Sequence, residues 1–180
     1  MAEWIRLQLD LTTFEEAAFQ RYVRRGRQSG LRFATLAELG DSPASRRSLY
    51  ELNKTCSADI PGRGEFYTFR EYLAQRIDVP SYDPRGVVLA LDQGSWIGMA
   101  ATSVQPEHGF AFSEMTGVLP AYRGQGISIA MKVLAIKYVR DCQLRWLRAF
   151  HHPANATAIA MNRRLGFVDE DPLMWPEAPG

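Results

Sequence analysis

Two cysteines in 180 residues, Cys56 and Cys142, are too few and too isolated for a disulfide framework or a Cys-x-x-Cys metal pattern. No apolar run approaches transmembrane length, and Met1-Ala-Glu-Trp-Ile-Arg lacks the layout of a signal peptide. The expected compartment is therefore the cytoplasm, with no membrane contact. Charge of one sign is also missing. The 21 basic and 20 acidic residues leave a net charge of +1, which removes any global drive toward nucleic acid or an anionic surface. The cluster Arg21-Tyr-Val-Arg-Arg-Gly-Arg27 accordingly reads as a solvated helix face. Internal repeats and low-complexity tracts are absent. What remains is an ordinary globular composition, 46% hydrophobic and 23% charged, in a chain long enough for one domain with a sizeable core.

The pattern alternates between strand and helix signals. Ile5, Leu7, Leu9 and Leu11 alternate with polar residues, as in a half-buried strand. Thr12 or Thr13, with Glu15 or Glu16, predicts a capping box for a helix carrying Phe14, Ala17, Ala18 and Tyr22 and ending near Gly26 or Gly30. A short strand is expected at Leu31–Leu36. Asp41-Ser42-Pro43 opens a helix containing Leu49 and Leu52, with Pro43 in its first turn. Asp59-Ile-Pro-Gly-Arg-Gly64 is a loop, and Thr68–Ile77 a short helix. Gly86–Leu91 and Trp96–Val104 read as strands joined by a hairpin at Asp92-Gln93-Gly94-Ser95. Phe110–Val118 follows as a third antiparallel strand. A helix over 124–141, a strand at Leu144–Phe150, a helix over about Ala154–Arg164 and a strand from Phe167 complete the order.

The most informative stretch is Val118-Leu-Pro-Ala-Tyr-Arg-Gly-Gln-Gly-Ile-Ser128. It closes an apolar strand and opens a helix, with Pro120 ending the ladder because it has no N–H to donate. Ile127, Ala130, Met131, Leu134, Ala135 and Tyr138 form the apolar face of that helix. Lys132, Lys137, Arg140 and Asp141 are expected largely outside it. A helix start presents unpaired N–H groups and partial positive charge, and Gly124 and Gly126 have no Cβ to block an approaching pyrophosphate. The Walker pattern fails because Ile127-Ser128 stands where Lys-Ser/Thr is required. The dinucleotide pattern fails at Ile129, which replaces its third glycine, and at Arg145 and Trp146, where an acid is needed.

Arg123-Gly-Gln-Gly126-Ile-Ser128, preceded by Val118-x-Pro120-x-Tyr122, resembles the signature of the GNAT superfamily of acyl-CoA-dependent N-acyltransferases. Asn155-x-x-Ala158 and Arg164-Leu-Gly-Phe167 extend the resemblance over residues 86–170. Ser128 departs from the usual glycine or alanine. The resemblance implies an α+β fold with a central mixed, mostly antiparallel sheet flanked by helices. The extra N-terminal strand and helix, and a short segment after Phe167, make the chain similar to one half of tandem-domain members. Residues 1–30 are thus expected as a strand–helix extension and residues 31–180 as the acyltransferase domain. Ile5–Leu11 either supplies the final strand, in its own sheet or a partner's, or lies elsewhere on a sheet edge.

The resemblance also implies acetyl-CoA as co-substrate. The strand before the signature would be splayed, its backbone around Met115–Leu119, especially Val118, pairing with the pantetheine arm. The pyrophosphate would sit on Arg123, Gly124, Gln125, Gly126, Ile127 and Ser128. Asn155 would contact the pantetheine, or act as a helix N-cap. The family's tyrosine acid falls at Asn162, which cannot act as a proton donor in the same sense, so Asn162 either hydrogen-bonds the leaving group or leaves the acid to water or another residue.

Glu114 is the general-base candidate read from the residues themselves. It is a carboxylate in an apolar strand, and period-2 counting places it on the face of Thr116 and Val118. Apolar neighbours would raise its pKa, which suits proton removal. His151 and His152 have no third ligand spaced with them, so they read as polar lining and no metal is expected. Asp59 and Glu65 are candidates for an amine pocket or ordinary loop acids. No cysteine or serine near the signature suggests a covalent intermediate. The expected activity is direct acetyl transfer to a primary amine of a small molecule in a ternary complex. A non-catalytic acyl-CoA-binding module and a dimerising domain, forming a homodimer through the N-terminal strand, are the alternatives.

Overall fold

The leucine-rich alternation near the N-terminus forms strand β1 (Ile5–Asp10) in the computed structural model, which describes residues 3–175. Leu7 and Leu9 face inward and are buried. The predicted capping box does not form. Asp10 instead takes Thr12, accepting from its backbone N–H at 3.0 Å and its hydroxyl at 2.7 Å, so a 3₁₀ turn at Glu16–Phe19 precedes helix α1 (Gln20–Gln28). Strand β2 (Leu31–Thr35) runs into an unforeseen one-turn helix, α2 (Leu36–Leu39), closed by a reciprocal capping box between Thr35 and Glu38. Helix α3 (Pro43–Ser57) starts as predicted, with Pro43 in the first turn and the Ser42 hydroxyl accepting from Ser45 N–H. Helix α4 (Phe69–Tyr72) continues into a π-helical turn at Leu73–Ile77.

Strands β3 (Val87–Asp92) and β4 (Ser95–Gln105) form the expected hairpin. Gln93 and Gly94 both have positive φ, 49° and 84°, as a type I′ turn requires. Strand β5 (Phe110–Val118), helix α5 (Ile127–Asp141), strand β6 (Trp146–His151), helix α6 (Ala156–Leu165) and the short strand β7 (Val168–Asp169) follow.

The seven strands order as β2-β3-β4-β5-β6-β1-β7. All pairs are antiparallel except β5–β6. The N-terminal strand therefore lies inside the chain's own sheet: β1 pairs with β6 over Ile5↔His151 to Asp10↔Trp146, and with β7 at Leu7↔Asp169 and Gln8↔Val168. One face of the sheet packs α5, where Leu7, Leu9, Val133, Ile136, Leu147 and Phe167 share a core. The opposite face packs α3 and α4 through Leu49, Leu52, Tyr72, Leu89 and Met99. Among the described residues, no helix is long and apolar enough to cross a membrane.

Two features of this frame create the site. The parallel β5–β6 pairing stops after Phe112↔Arg148, so Ser113–Val118 lose their neighbour on that side and the strands part. Opposite, the β4–β5 register slips between Ala101↔Met115 and Thr102↔Ser113, leaving Glu114 as the extra residue of a bulge.

Candidate active site

The glycine-rich segment turns tightly into α5. Gly124 and Gly126 have φ of 79° and 77°, a conformation costly for side-chain-bearing residues. The N–H groups of Ile127, Ser128 and Ile129, in the first turn of α5, have no helical acceptor. A groove of about 810 Å³ opens over this turn. Arg123, Gly124, Gln125, Gly126, Ile127 and Ser128 line it, together with Met115, Val118 and Asn155. All nine residues singled out for cofactor binding thus border one cavity. The Asn155 side chain accepts from Ala158 N–H at 3.4 Å, capping α6 while bordering the groove. Arg123 pairs with Asp59 at 2.9 Å and is held toward the Val118 carbonyl, and Asp59 borders this groove.

The N-terminal extension also reaches this groove, which its sequence did not reveal. Tyr22 packs so closely on Gly126 that a Cβ there would lie 2.7 Å from its ring, and the exposed Arg25 borders the same cavity. The arginine cluster is thus solvated, as expected, but one member faces the groove. Cys56 lies there too, its Cβ 3.0 Å from where a Cβ on Gly117 would stand. A thiol does sit near the signature, therefore, but burial pushes it up to about 11, so it stays protonated and is a poor nucleophile.

A second cavity, about 670 Å³, meets the groove at the splay; Met115, Thr116, Asn155, Ala158 and Met161 border both. Glu114, Asn162, His151, His152 and Glu65 line it. The bulge corrects two expectations about Glu114. Met115 packs in the α3 core and Val118 in the α5 core, so Glu114, which turns to Arg76 beyond α4, shares the α3 side with Met115 rather than the face of Thr116 and Val118. Its surroundings are not apolar either: Glu114 is ion-paired to Arg76 and accepts from the Ser103 hydroxyl at 2.7 Å. Arg76 comes from the π-helical turn, which sequence periodicity did not signal.

On the other side of the gap lies a polar cluster. Asn162 is fully buried, with its Nδ2 2.6 Å from His151 Nε2 and its Oδ1 lacking a partner among the described residues. The Thr116 hydroxyl is likewise without a partner. Lys132 overturns its predicted placement. It is 1% exposed, hydrogen-bonded to the Ser113 hydroxyl, with its ammonium 5.3 Å from the Phe167 ring centroid. Burial lowers its pKa to about 7. Burial, with the Lys132 charge adding to it, lowers His151 to about 4 and keeps that imidazole neutral. The signal for Lys132 was available: its helical neighbours Ile129, Ala135 and Ile136 are all apolar.

The comparisons agree with this architecture. The profile of the Acetyltransferase (GNAT) family matches residues 46–167. The chain belongs to that family. It is 33% identical over 136 residues to a mycothiol acetyltransferase of Pseudarthrobacter chlorophenolicus, a match covering 72% of this chain and 42% of that protein. The chain thus spans under half the length of the curated relatives it matches. A GCN5-related N-acetyltransferase from Sphaerobacter thermophilus superposes with a TM-score of 0.64 at 18% identity, covering 93% of this chain and 48% of that one. A tandem GNAT protein from the clavulanic acid biosynthesis pathway gives 0.61 at 18% identity, over 95% and 51%. At such identities the structural likeness speaks for the fold.

Proposed function

We propose that this GNAT chain transfers an acetyl group from acetyl-CoA to a primary amine of a small molecule, by direct transfer in a ternary complex. The observation that carries this reading is the meeting of two cavities at the splay, one bordered by the glycine-rich turn and the other by Glu114. Acetyl-CoA supplies the activated acyl thioester. The N–H groups at the start of α5 hold its pyrophosphate, with Arg123 and Arg25 adding positive charge. The free backbone edge of Ser113–Val118, notably at Met115 and Val118, pairs with the pantetheine arm and orients the carbonyl. Asn155 fixes the start of α6 beside that arm. Glu114, positioned by Arg76 and Ser103, removes the proton from the attacking amine, directly or through water. Asn162 donates or accepts a hydrogen bond at the reacting end of the cavity. The mycothiol acetyltransferase relatives favour a small-molecule amine as acceptor.

The test has two readouts. Acetyl-CoA should raise the melting temperature, because a ligand that binds only the folded state stabilises it, and NAD and ATP should do so less. A panel of polyamines, amino sugars, aminoglycosides and amino acids, followed by thiol release, should return at least one acceptor. A shift with NAD equal to or larger than that with acetyl-CoA overturns the cofactor assignment. Acetyl-CoA binding without turnover on any amine favours a non-catalytic module.

A further inference from the structure

The family's tyrosine acid is absent here, because Asn162 holds that position and has no acidic proton. Yet the cavity contains Lys132, a cation that no described carboxylate meets. Lys132 is wholly buried, and among the described residues no carboxylate offsets its burial. Its ammonium reaches Ser113, the first residue of β5 beyond the last pair with β6. Around it lie two unsatisfied polar atoms, Thr116 Oγ1 and Asn162 Oδ1, on residues that border the same cavity. Glu114 faces that cavity from the opposite side of the sheet.

We propose that Lys132 is the proton donor to the sulfur that departs in this transfer, an assignment that rests on the acetyltransferase reading above. The amine nitrogen bonds to the carbonyl carbon and its proton passes to Glu114 and on to solvent. As the carbon–sulfur bond breaks, the electron pair stays on sulfur and Lys132 gives it a proton. The neutral Lys132 then regains a proton from solvent, so acetyl-CoA and amine become amide and free thiol. Burial makes this donation favourable. An ammonium near 7 is a stronger acid than an ordinary thiol near ~8.5, so the proton moves downhill to the sulfur.

The other titratable or charged groups on this cavity do not replace it. His151 on β6 is neutral well above its pKa of about 4. Glu114 on β5 is engaged with Arg76, and Arg6 on β1, Arg63 and Arg76 are guanidiniums, which keep their protons. The Tyr67 hydroxyl lies on the Arg76 side of the cavity, 3.5 Å from its guanidinium, His152 Nδ1 accepts from Ala154 N–H, and Glu65 is a carboxylate of the loop before α4. On α1, β3, β4 and the 3₁₀ turns at Glu16–Phe19 and Pro84–Gly86, which also pack against α5, no described side chain is hydrogen-bonded or ion-paired to Lys132.

The chain has three lysines, which makes the test direct. Lys54 and Lys137 are exposed, so Lys132 is the buried one of the three. In the free protein labelled with ¹³C-lysine, the Cε resonance that Lys132→Met lacks should titrate near pH 7. A Lys132 midpoint near the ordinary lysine value of ~10.4 overturns the proposal. In the thiol-release assay, Lys132→Met should lower kcat ~10²- to 10⁴-fold with little change in acetyl-CoA affinity. It should also lose the alkaline fall in kcat that follows deprotonation of Lys132 in the wild type. Lys132→Arg retains charge but not a labile proton and should stay slow; full activity in it would show a purely electrostatic role and refute the donor. A wild type that turns over beside a Lys132→Met protein of equal rate and pH profile sinks this inference alone. A wild type that neither binds acetyl-CoA nor releases thiol sinks the acetyltransferase reading and this inference with it.

Discussion

Removing the N-terminal strand should unfold this domain rather than trim it. Leu7, Leu9 and Leu11 are 0%, 3% and 3% exposed, and Leu7 and Leu9 pack under α5 beside Leu147 and Phe167. Truncating one such leucine to alanine costs ~3 kcal/mol, within a usual range of ~2–5. In a domain of this length that lowers the melting temperature by ~6–12 °C. Deleting residues 1–12 removes all three leucines, together with the pairing of β1 to both β6 and β7. The leucines alone account for ~9 kcal/mol, comparable to the ~5–15 kcal/mol that holds a whole domain folded. The truncated protein should therefore show no cooperative melt by circular dichroism and should aggregate through the bare β6 edge. Leu9→Ala is the graded version and should stay folded with the smaller loss; Glu3→Ala, at an exposed position, should change nothing measurable. A soluble 13–180 fragment melting within ~2 °C of the full chain would refute the reasoning.

Ser128→Asp should abolish stabilisation by acetyl-CoA, because it sets a negative charge where the pyrophosphate approaches, while an acid in the first turn of α5 keeps or slightly raises the melting temperature without ligand. This substitution tests the cradle more cleanly than Gly126→Asp, which would combine a positive φ with a clash on Tyr22 and should destabilise the fold itself. Glu114→Gln should reduce turnover ~10²- to 10⁴-fold at neutral pH with little change in acetyl-CoA affinity, and the loss should shrink at high pH, where more acceptor is already neutral. His151 supplies a pH effect on stability. Its folded pKa is depressed from 6.5 to about 4, so the unfolded chain takes up the proton first and stability falls as pH drops through that window. At ~1.4 kcal/mol per tenfold change the ceiling is ~3 kcal/mol, which partial exposure reduces to ~2. Urea titrations at pH 7 and about pH 4.5 should show that difference, and His151→Gln should lack it.

What the sequence disclosed and what it hid follow from the range of the interactions. Gln93-Gly94, Ser42-Pro43 and the Pro120–Ser128 turn act through their own backbone conformations, so their elements appeared where local chemistry placed them. The nine groove residues were legible through the resemblance of Arg123–Ser128, with the strand before it and Asn155-x-x-Ala158 after it, to the family signature. The bulge at Glu114 has no glycine to announce it and exists only because β4 and β5 are paired, so the side-chain count along β5 came out on the wrong face. Arg76 escaped notice because a π-turn breaks helical spacing. Both capping-box candidates are taken by Asp10 instead, Thr12 by its carboxylate and the Thr13 hydroxyl by its carbonyl. Residue type alone points Lys132 to solvent, but its helical neighbours Ile129, Ala135 and Ile136 are apolar and it is buried with them.

The position of β1 has a consequence for how the chain reaches its fold. Ile5 pairs with His151, a separation of 146 residues, and the pairing continues along the strand to Asp10↔Trp146. Closing so long a loop is entropically slow, and contacts of this separation place a mixed α/β domain toward the slow end of folding rates. During synthesis β1 emerges early, and its leucines have no permanent partner until β6 has been made. β3, β4 and β5 can assemble as a meander in the meantime, leaving one side of β5 exposed. The late arrival of β6 then fixes both things at once: it pairs with β1, and it sets the width of the opening beside Ser113. The groove and the cavity beside Glu114 meet along β5 and α6, so their common border is complete only once α6, which follows β6 in the chain, has docked.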